Sequence, residues 1–230
     1  MFATLPPPPQ RLLVFARLPE LGKVKTRLAE SIGAEKTLAV YAAMLHDLLR
    51  AIGESTGDLE IEIAWAPTQS ANGETLQRAF GAHTLVMQAG SNLGDRLSMA
   101  FSERFFFHRA QKVIAIGVDD PRLSREIVDH AFGLLESCEW VVGPAKDGGY
   151  YLIGCRAAAF NPEVFFDIDW GSDSVLQSTL QHIRDWNHAA AVLPTRDDID
   201  VIEDLQRFAR ETREAEGELP QLLRSWGMAA

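Results

Sequence analysis

The sequence predicts an α/β protein built as one domain around a mainly parallel, doubly wound sheet. Three observations carry that expectation. Apolar runs of strand length alternate with segments of helical period along the whole chain. The run 113–118 holds no polar side chain, as a central parallel strand buried on both faces would require. The chain has 230 residues, 47% of them hydrophobic, which suffices for one large core and falls short of two.

Taken in order, strands are expected at 12–16, 60–65, 84–87, 113–118, 140–142, 150–154 and 190–193, each an apolar run. Helices are expected at 34–51, 73–80, 93–109, 124–137, 173–186 and 201–213, with a short one near 219–225. The clearest is 34–51, where Leu38, Tyr41, Ala42, Leu45, Leu48 and Leu49 fall on one stripe. Residues 1–10 carry Pro6-Pro7-Pro8-Pro9 and are read as a PPII-like tail ahead of a single domain over 11–230. Phe105-Phe106-Phe107 reads as core packing, and Cys138 and Cys155, each alone in an apolar stretch, read as buried thiols.

Charge and composition narrow the function. A formal net charge of −10 disfavours nucleic acid as a partner, because a phosphate backbone would repel the chain. No signal peptide and no membrane-length apolar run is present, so a cytoplasmic location away from membranes is expected. There is no Walker motif, no GxGxxG after the first strand and no GxSxG elbow, which disfavours P-loop, Rossmann and serine-hydrolase chemistry.

In an open α/β sheet, ligands bind where strands end at their carboxyl edge. After the first strand the chain runs Arg17 to Arg27, with Gly22 in the loop and Lys23, Lys25 and Arg27 together. A cationic knot in an acidic protein, at a helix start, describes a place for phosphates; the competing reading is a solvated basic helix end. Asp119 directly follows the central strand and is placed to hold a divalent metal, or else to begin the turn made by Asp120-Pro121. Asp197, Asp198 and Asp200 follow the last strand, and for Asp198 and Asp200 metal binding competes with favouring a helix N-terminus, the role expected of Glu203 and Asp204. Asp147 precedes Gly148-Gly149, where backbone could approach a ligand closely or turn a hairpin. Asn92 and Gly94 open the helix at 93–109 and either touch a base or ribose or simply cap the helix.

Six ordered segments then resemble one family. They are FARLPELGKVKTRLAESIGAEKTLAVYAAMLHDLL, SNLGDRLSMAF, IGVDDPRLS, VVGPAKDGGYYLIG, IDWGSDSVLQSTL and DIDVIEDL. Together they are similar to DUF2064, also called radical-SAM/selenodomain-associated transferase 1, over about residues 11–210. The resemblance implies the glycosyltransferase-A, or nucleotide-diphospho-sugar transferase, fold, with likeness to 2-phospholactate guanylyltransferases. It implies that Lys25 and Arg27 grip phosphates, with Arg17 keeping a charge where the family often has Lys. It implies Mg2+ or Mn2+ held by Asp119, Asp198 and Asp200, and an acceptor region at Asp147 to Tyr150 and Trp170-Gly171-Ser172. Gly117-Val118-Asp119-Asp120-Pro121 departs from the family's Gly-Ser-Asp-Cys-Pro, losing a small polar neighbour and gaining a charge.

The expected activity is therefore metal-dependent transfer from a nucleotide donor to a small-molecule acceptor. Nucleotidyl transfer from an NTP to a phosphorylated or hydroxyl acceptor leads. Glycosyl transfer from an NDP-sugar is the alternative, and a non-catalytic nucleotide sensor on the same fold is a third reading.

Overall fold

The structure is a computed structural model that describes residues 10–228. Its elements run β1 (Gln10–Ala16), α1 (Thr26–Ile32), α2 (Ala34–Ile52), β2 (Leu59–Trp65), α3 (Gly73–Phe80), β3 (Thr84–Met87), α4 (Leu93–Phe106) and β4 (Lys112–Ile116). They continue α5 (Arg125–Leu134), β5 (Trp140–Pro144), β6 (Tyr150–Arg156), α6 (Val175–Asp185), β7 (Ala190–Val192), α7 (Ile202–Glu211) and α8 (Glu218–Ser225). Short 3-10 turns, Ala157–Ala159 and Pro162–Phe165, lie between β6 and α6. The Pro-rich tail expected over 1–10 lies outside the described residues, except Gln10, which opens β1.

One seven-stranded sheet runs β3-β2-β1-β4-β6-β5-β7. β6 is antiparallel to both β4 and β5, and every other pairing is parallel. Alternation along each central strand splits the core into two layers. Leu12, Val14, Ile114 and Ile116 face a cluster built with α2, α5, α7 and α8. Leu13, Val113 and Ala115 face a second cluster with Phe101 of α4, Trp140 and Phe165. Helices thus cover both faces, the doubly wound arrangement that the alternating pattern predicts. Among the described residues no helix is long and apolar enough to cross a membrane.

The differences from expectation have local causes. α1 was expected only as a helix start beside the cationic knot and not as a separate short helix ahead of α2, because its seven residues bury only Leu28 and leave no period to read. Phe105 is buried, but Phe106 and Phe107 are 72% and 81% exposed, since α4 ends at Phe106 and the chain turns away. Cys155 is buried within β6, while Cys138 is only half-buried. A buried ionic triad was also missed. Glu62 on β2 takes Arg11 of β1 at 2.8 Å and Arg104 of α4 at 2.6 Å, with all three side chains below 10% exposure. Arg11 reaches Glu60 as well. The register sets Arg11 directly opposite Glu60, so that Glu62, two residues on, is reached diagonally, and Arg104 meets it from α4.

Candidate active site

The site lies where β1 and β4 end at their carboxyl edge. Leaving β1, the backbone of Arg17 is clamped by α2: its N–H donates to the Tyr41 hydroxyl at 2.8 Å, and that hydroxyl donates to the Arg17 carbonyl at 3.1 Å. The loop turns at Gly22, whose φ of +72° suits glycine. Lys25 then enters α1 with φ 46° and ψ 50°, a left-handed conformation uncommon for a residue with a Cβ. α1 is too short for its dipole to define an anion site, so the charged side chains must do so.

From β4 the chain passes through Gly117 and Val118 to Asp119. The segment after β7 is drawn alongside, with the Ile199 N–H donating to the Asp119 carbonyl at 3.0 Å. That bond brings Asp200 next to Asp119. The Lys25 ammonium lies between them, 2.5 Å from Oδ1 of Asp119 and 2.6 Å from Oδ1 of Asp200. Burial opposes the Lys25 charge, but the two carboxylates outweigh it and hold its pKa above the ordinary lysine value. Arg27 stays outside this knot, 69% exposed and 3.6 Å from Asp200.

A cleft of about 480 Å³ opens above the knot, and Arg17, Lys23, Lys25, Arg27 and Arg96 all line it. A second cleft, about 380 Å³, carries Asp147, Gly149, Trp170, Ser172 and Asp198. The two share Arg27, Asp119 and Tyr150 along their common wall. In the second cleft Tyr150 meets Trp170 edge-on at 6.4 Å between ring centres. Asp147 accepts the Gly149 N–H at 2.9 Å, which folds the loop back on itself. Gly148, with φ +91°, packs so closely on Asp173 that a Cβ would come within 2.1 Å of its carbonyl oxygen. Ser172 shares its hydroxyl with Ser174 at 2.7 Å.

The acidic residues divide by role. Asp120 is buried and bonds the Arg196 guanidinium and the Arg122 backbone N–H, so it serves the fold. Asp197 pairs with Lys146 at 2.6 Å. Asp204 accepts the backbone N–H groups of Asp200 and Val201, capping the start of α7, and Glu203 is exposed. Asp198 differs: burial, then the nearby Asp147 and Asp200 carboxylates, push its carboxyl up to about 6. Asp119, Asp198 and Asp200 offer the hard oxygen donors that suit Mg2+ or Mn2+, and Asp198 faces an excess of negative charge that a cation would relieve. They do not form a cage: among the described residues no three such groups converge, since Asp198 lines the second cleft while Asp200 lines the first, with Lys25 between Asp119 and Asp200.

Two expected nucleotide contacts are placed elsewhere. Asn92 caps α4, its side chain accepting the Asp95 N–H at 2.9 Å. Gly94 is buried, and a Cβ there would strike the Phe165 carbonyl at 2.3 Å and the Trp170 indole nitrogen at 2.6 Å. Helix packing thus accounts for both, and their neighbours Leu93, Arg96 and Leu97 line the cleft instead. Gly22 turns its loop without lining either cleft. Sequence reasoning passed over Gln88 and the role of Tyr41. Gln88 is buried at the end of β3, donates to the Ala64 carbonyl at 2.6 Å and accepts from Arg96 at 3.4 Å, anchoring that arginine at the cleft. A polar residue closing an apolar strand at the sheet's carboxyl edge was the available signal.

Comparison with known proteins bears on this geometry. A family described as "Uncharacterized protein conserved in bacteria (DUF2064)" matches residues 49–172, more than half of the chain. The chain belongs to the DUF2064 family. This DUF2064 chain is 31% identical to a candidate nucleotide-diphospho-sugar transferase of Desulfovibrio desulfuricans G20, with a TM-score of 0.89 and 96% of each chain covered. Its fold is shared more distantly with 4-diphosphocytidyl-2C-methyl-D-erythritol synthase of Anaerococcus prevotii DSM 20548, at 11% identity and a TM-score of 0.53, covering 85% of this chain and 94% of that one. A cytidylyltransferase of Leptospira borgpetersenii gives the same identity and TM-score, covering 96% and 95%. No curated protein matches the DUF2064 chain. The sheet, with its single antiparallel strand β6, is thus the nucleotide-diphospho-sugar transferase type of α/β fold.

Proposed function

We propose that the protein is a nucleotide-dependent transferase that moves a nucleotidyl group from an NTP onto a small hydroxyl or phosphorylated acceptor. One observation carries the reading: in a chain of net charge −10, Arg17, Lys23, Lys25, Arg27 and Arg96 line a single cleft at the sheet's carboxyl edge. A triphosphate is the ligand that calls for this much cationic support, with Arg27 and Arg96 suited to bidentate contacts. The second cleft, continuous past Tyr150, would receive the acceptor between Asp147, Trp170 and Ser172.

Asp119, Asp198 and Asp200 would hold Mg2+ or Mn2+. Such an ion, when bound, neutralises charge on the donor's phosphates. The chain's own residues would grip the phosphates, orient the α-phosphorus toward the acceptor cleft and screen the leaving pyrophosphate, so catalysis rests on positioning and electrostatics. The new bond joins an acceptor oxygen to the α-phosphorus, the bond from the α-phosphorus to the bridging oxygen of pyrophosphate breaks, and the acceptor proton passes to solvent or a carboxylate. A second reading, glycosyl transfer from an NDP-sugar, is favoured by the description of the Desulfovibrio relative.

The test offers a panel of NTPs and NDP-sugars with Mg2+, following thermal shift and then release of pyrophosphate or NDP. Stabilisation by NTPs with pyrophosphate release supports nucleotidyl transfer. NDP release supports the second reading, and no response to either donor class overturns both. Binding without product across a broad acceptor panel points to a nucleotide sensor.

A further inference from the structure

We infer that Lys25 and a divalent cation compete for the same two carboxylates, so that the cation enters only when a polyphosphate draws the Lys25 ammonium away. The inference rests on the nucleotide-transferase reading above. Lys25 lies 2.5 Å from Asp119 and 2.6 Å from Asp200, and its side chain is only 5% exposed. A Mg2+ ion binds carboxylate oxygens at about 2.0–2.1 Å. It cannot share Oδ1 of both residues with an ammonium already seated between them, since the two cations would be pressed to within about 3 Å of each other and repel.

The surroundings provide the release. Lys25 sits in a left-handed backbone conformation at the junction of loop and helix, just outside the regular turns of α1. The cleft beside it offers an anion a ready seat on Arg17, Lys23, Arg27 and Arg96. Phosphate oxygens arriving there give Lys25 a new partner and leave Asp119 and Asp200 without their cation. Metal and polyphosphate must then bind with positive coupling, each raising the other's affinity by the same factor. In the free protein Lys25 acts as the site's resident counter-ion, which keeps metal off the carboxylates until donor arrives.

Mn2+ binding to the full-length chain, read from loss of the free-ion electron paramagnetic resonance signal, tests this without any turnover. Lys25→Met keeps an apolar stem and removes the charge; its melting curve reports whether it folds. The expected result is that K25M binds Mn2+ at least about 10-fold tighter than wild type without nucleotide, and that adding Asp119→Asn removes the gain. Equal Mn2+ affinity of wild type and a folded K25M overturns the inference, as does a gain that survives D119N. A wild-type arm needs no variant: Mn2+ with tripolyphosphate, corrected for their association in solution, should bind at least about 10-fold tighter than either alone, and additive binding overturns the coupling. Failure of every NTP and NDP-sugar to bind wild type would remove the proposed function while K25M still reports the competition. Nucleotide binding with an unchanged K25M would remove this inference alone.

Discussion

The hydroxyl of Tyr41 on α2 closes on both polar ends of Arg17, taking its N–H at 2.8 Å and giving a proton to its carbonyl at 3.1 Å. One core side chain thereby fixes where β1 ends and where the cationic loop begins. Burial of the phenol raises its pKa, so it stays protonated and able to donate at any ordinary pH. Tyr41→Phe keeps the ring and removes both bonds. The expected cost is about 1–3 kcal/mol, at about 1 kcal/mol per bond plus the orphaned amide. Donor affinity should fall several-fold with kcat less affected, because Arg17 loses its anchor. Urea unfolding and a nucleotide titration by thermal shift check both, and an unchanged donor affinity would show that the loop needs no such tether.

Asp119 meets Lys25 and lies on the wall shared by the two clefts. Asp119→Asn keeps the shape and removes the charge. Under the proposed function, transfer activity should drop at least about 100-fold, the scale of losing one charge-stabilising group. The protein should remain folded, since the Asp119 side chain is 57% exposed. Steady-state rates with saturating donor and Mg2+ measure this; activity within a few-fold of wild type would exclude a central role for Asp119.

Glu62 carries a pH prediction for stability. Burial disfavours its charge, but hydrogen bonds from Arg104 and Arg11 more than offset this, and its pKa is lowered. The folded carboxyl therefore titrates below the unfolded one. Its contribution is present above the ordinary glutamate range and is lost as pH falls through the lowered value. Glu62→Gln should flatten the acid limb of a stability curve measured by urea unfolding between pH 3 and pH 7. Glu62→Leu should cost about 3–5 kcal/mol near neutrality, because Arg11 and Arg104 would be left buried without their shared partner. A loss below about 1 kcal/mol would mean that water reaches the triad.

Gly148 tests the acceptor loop. A Cβ would meet the Asp173 carbonyl at 2.1 Å, and φ of +91° is itself strained for alanine. Gly148→Ala should therefore push the 145–150 loop away from residue 173 and weaken acceptor use more than donor binding. The readout is KM for acceptor against donor affinity; equal effects on both would place the loop outside the acceptor cleft.

Most of the secondary structure was legible because it is written in short-range pattern. The run 113–118 and the stripe from Leu38 to Leu49 state how many faces are buried, and burial on a strand or helix repeats with the element's own period. What escaped lacked a period or depended on a distant neighbour. α1 buries one residue, Phe106 and Phe107 sit past the point where α4 stops facing the core, and Gly94 is explained only by the Phe165 carbonyl and the Trp170 ring packed against it. The candidate site was half legible: charge at the ends of strands marked Lys25, Arg27, Asp119 and Asp200, while buried Gln88 and Tyr41 carry no charge to draw the eye.

The boundary between the two kinds of information falls inside the site itself. Local sequence was enough to say that a parallel sheet would form and that cations follow β1 while carboxylates follow β4 and β7. Only the tertiary structure decided which of them meet. Lys25 and Asp200 are 175 residues apart, and it is the ordering of β1 beside β4, with the return of residue 199 onto Asp119, that brings them within 2.6 Å. The reason is physical: an unpaired charge in a sequence has a sign but no partner, and the low-polarity edge where strands converge makes each buried charge take one.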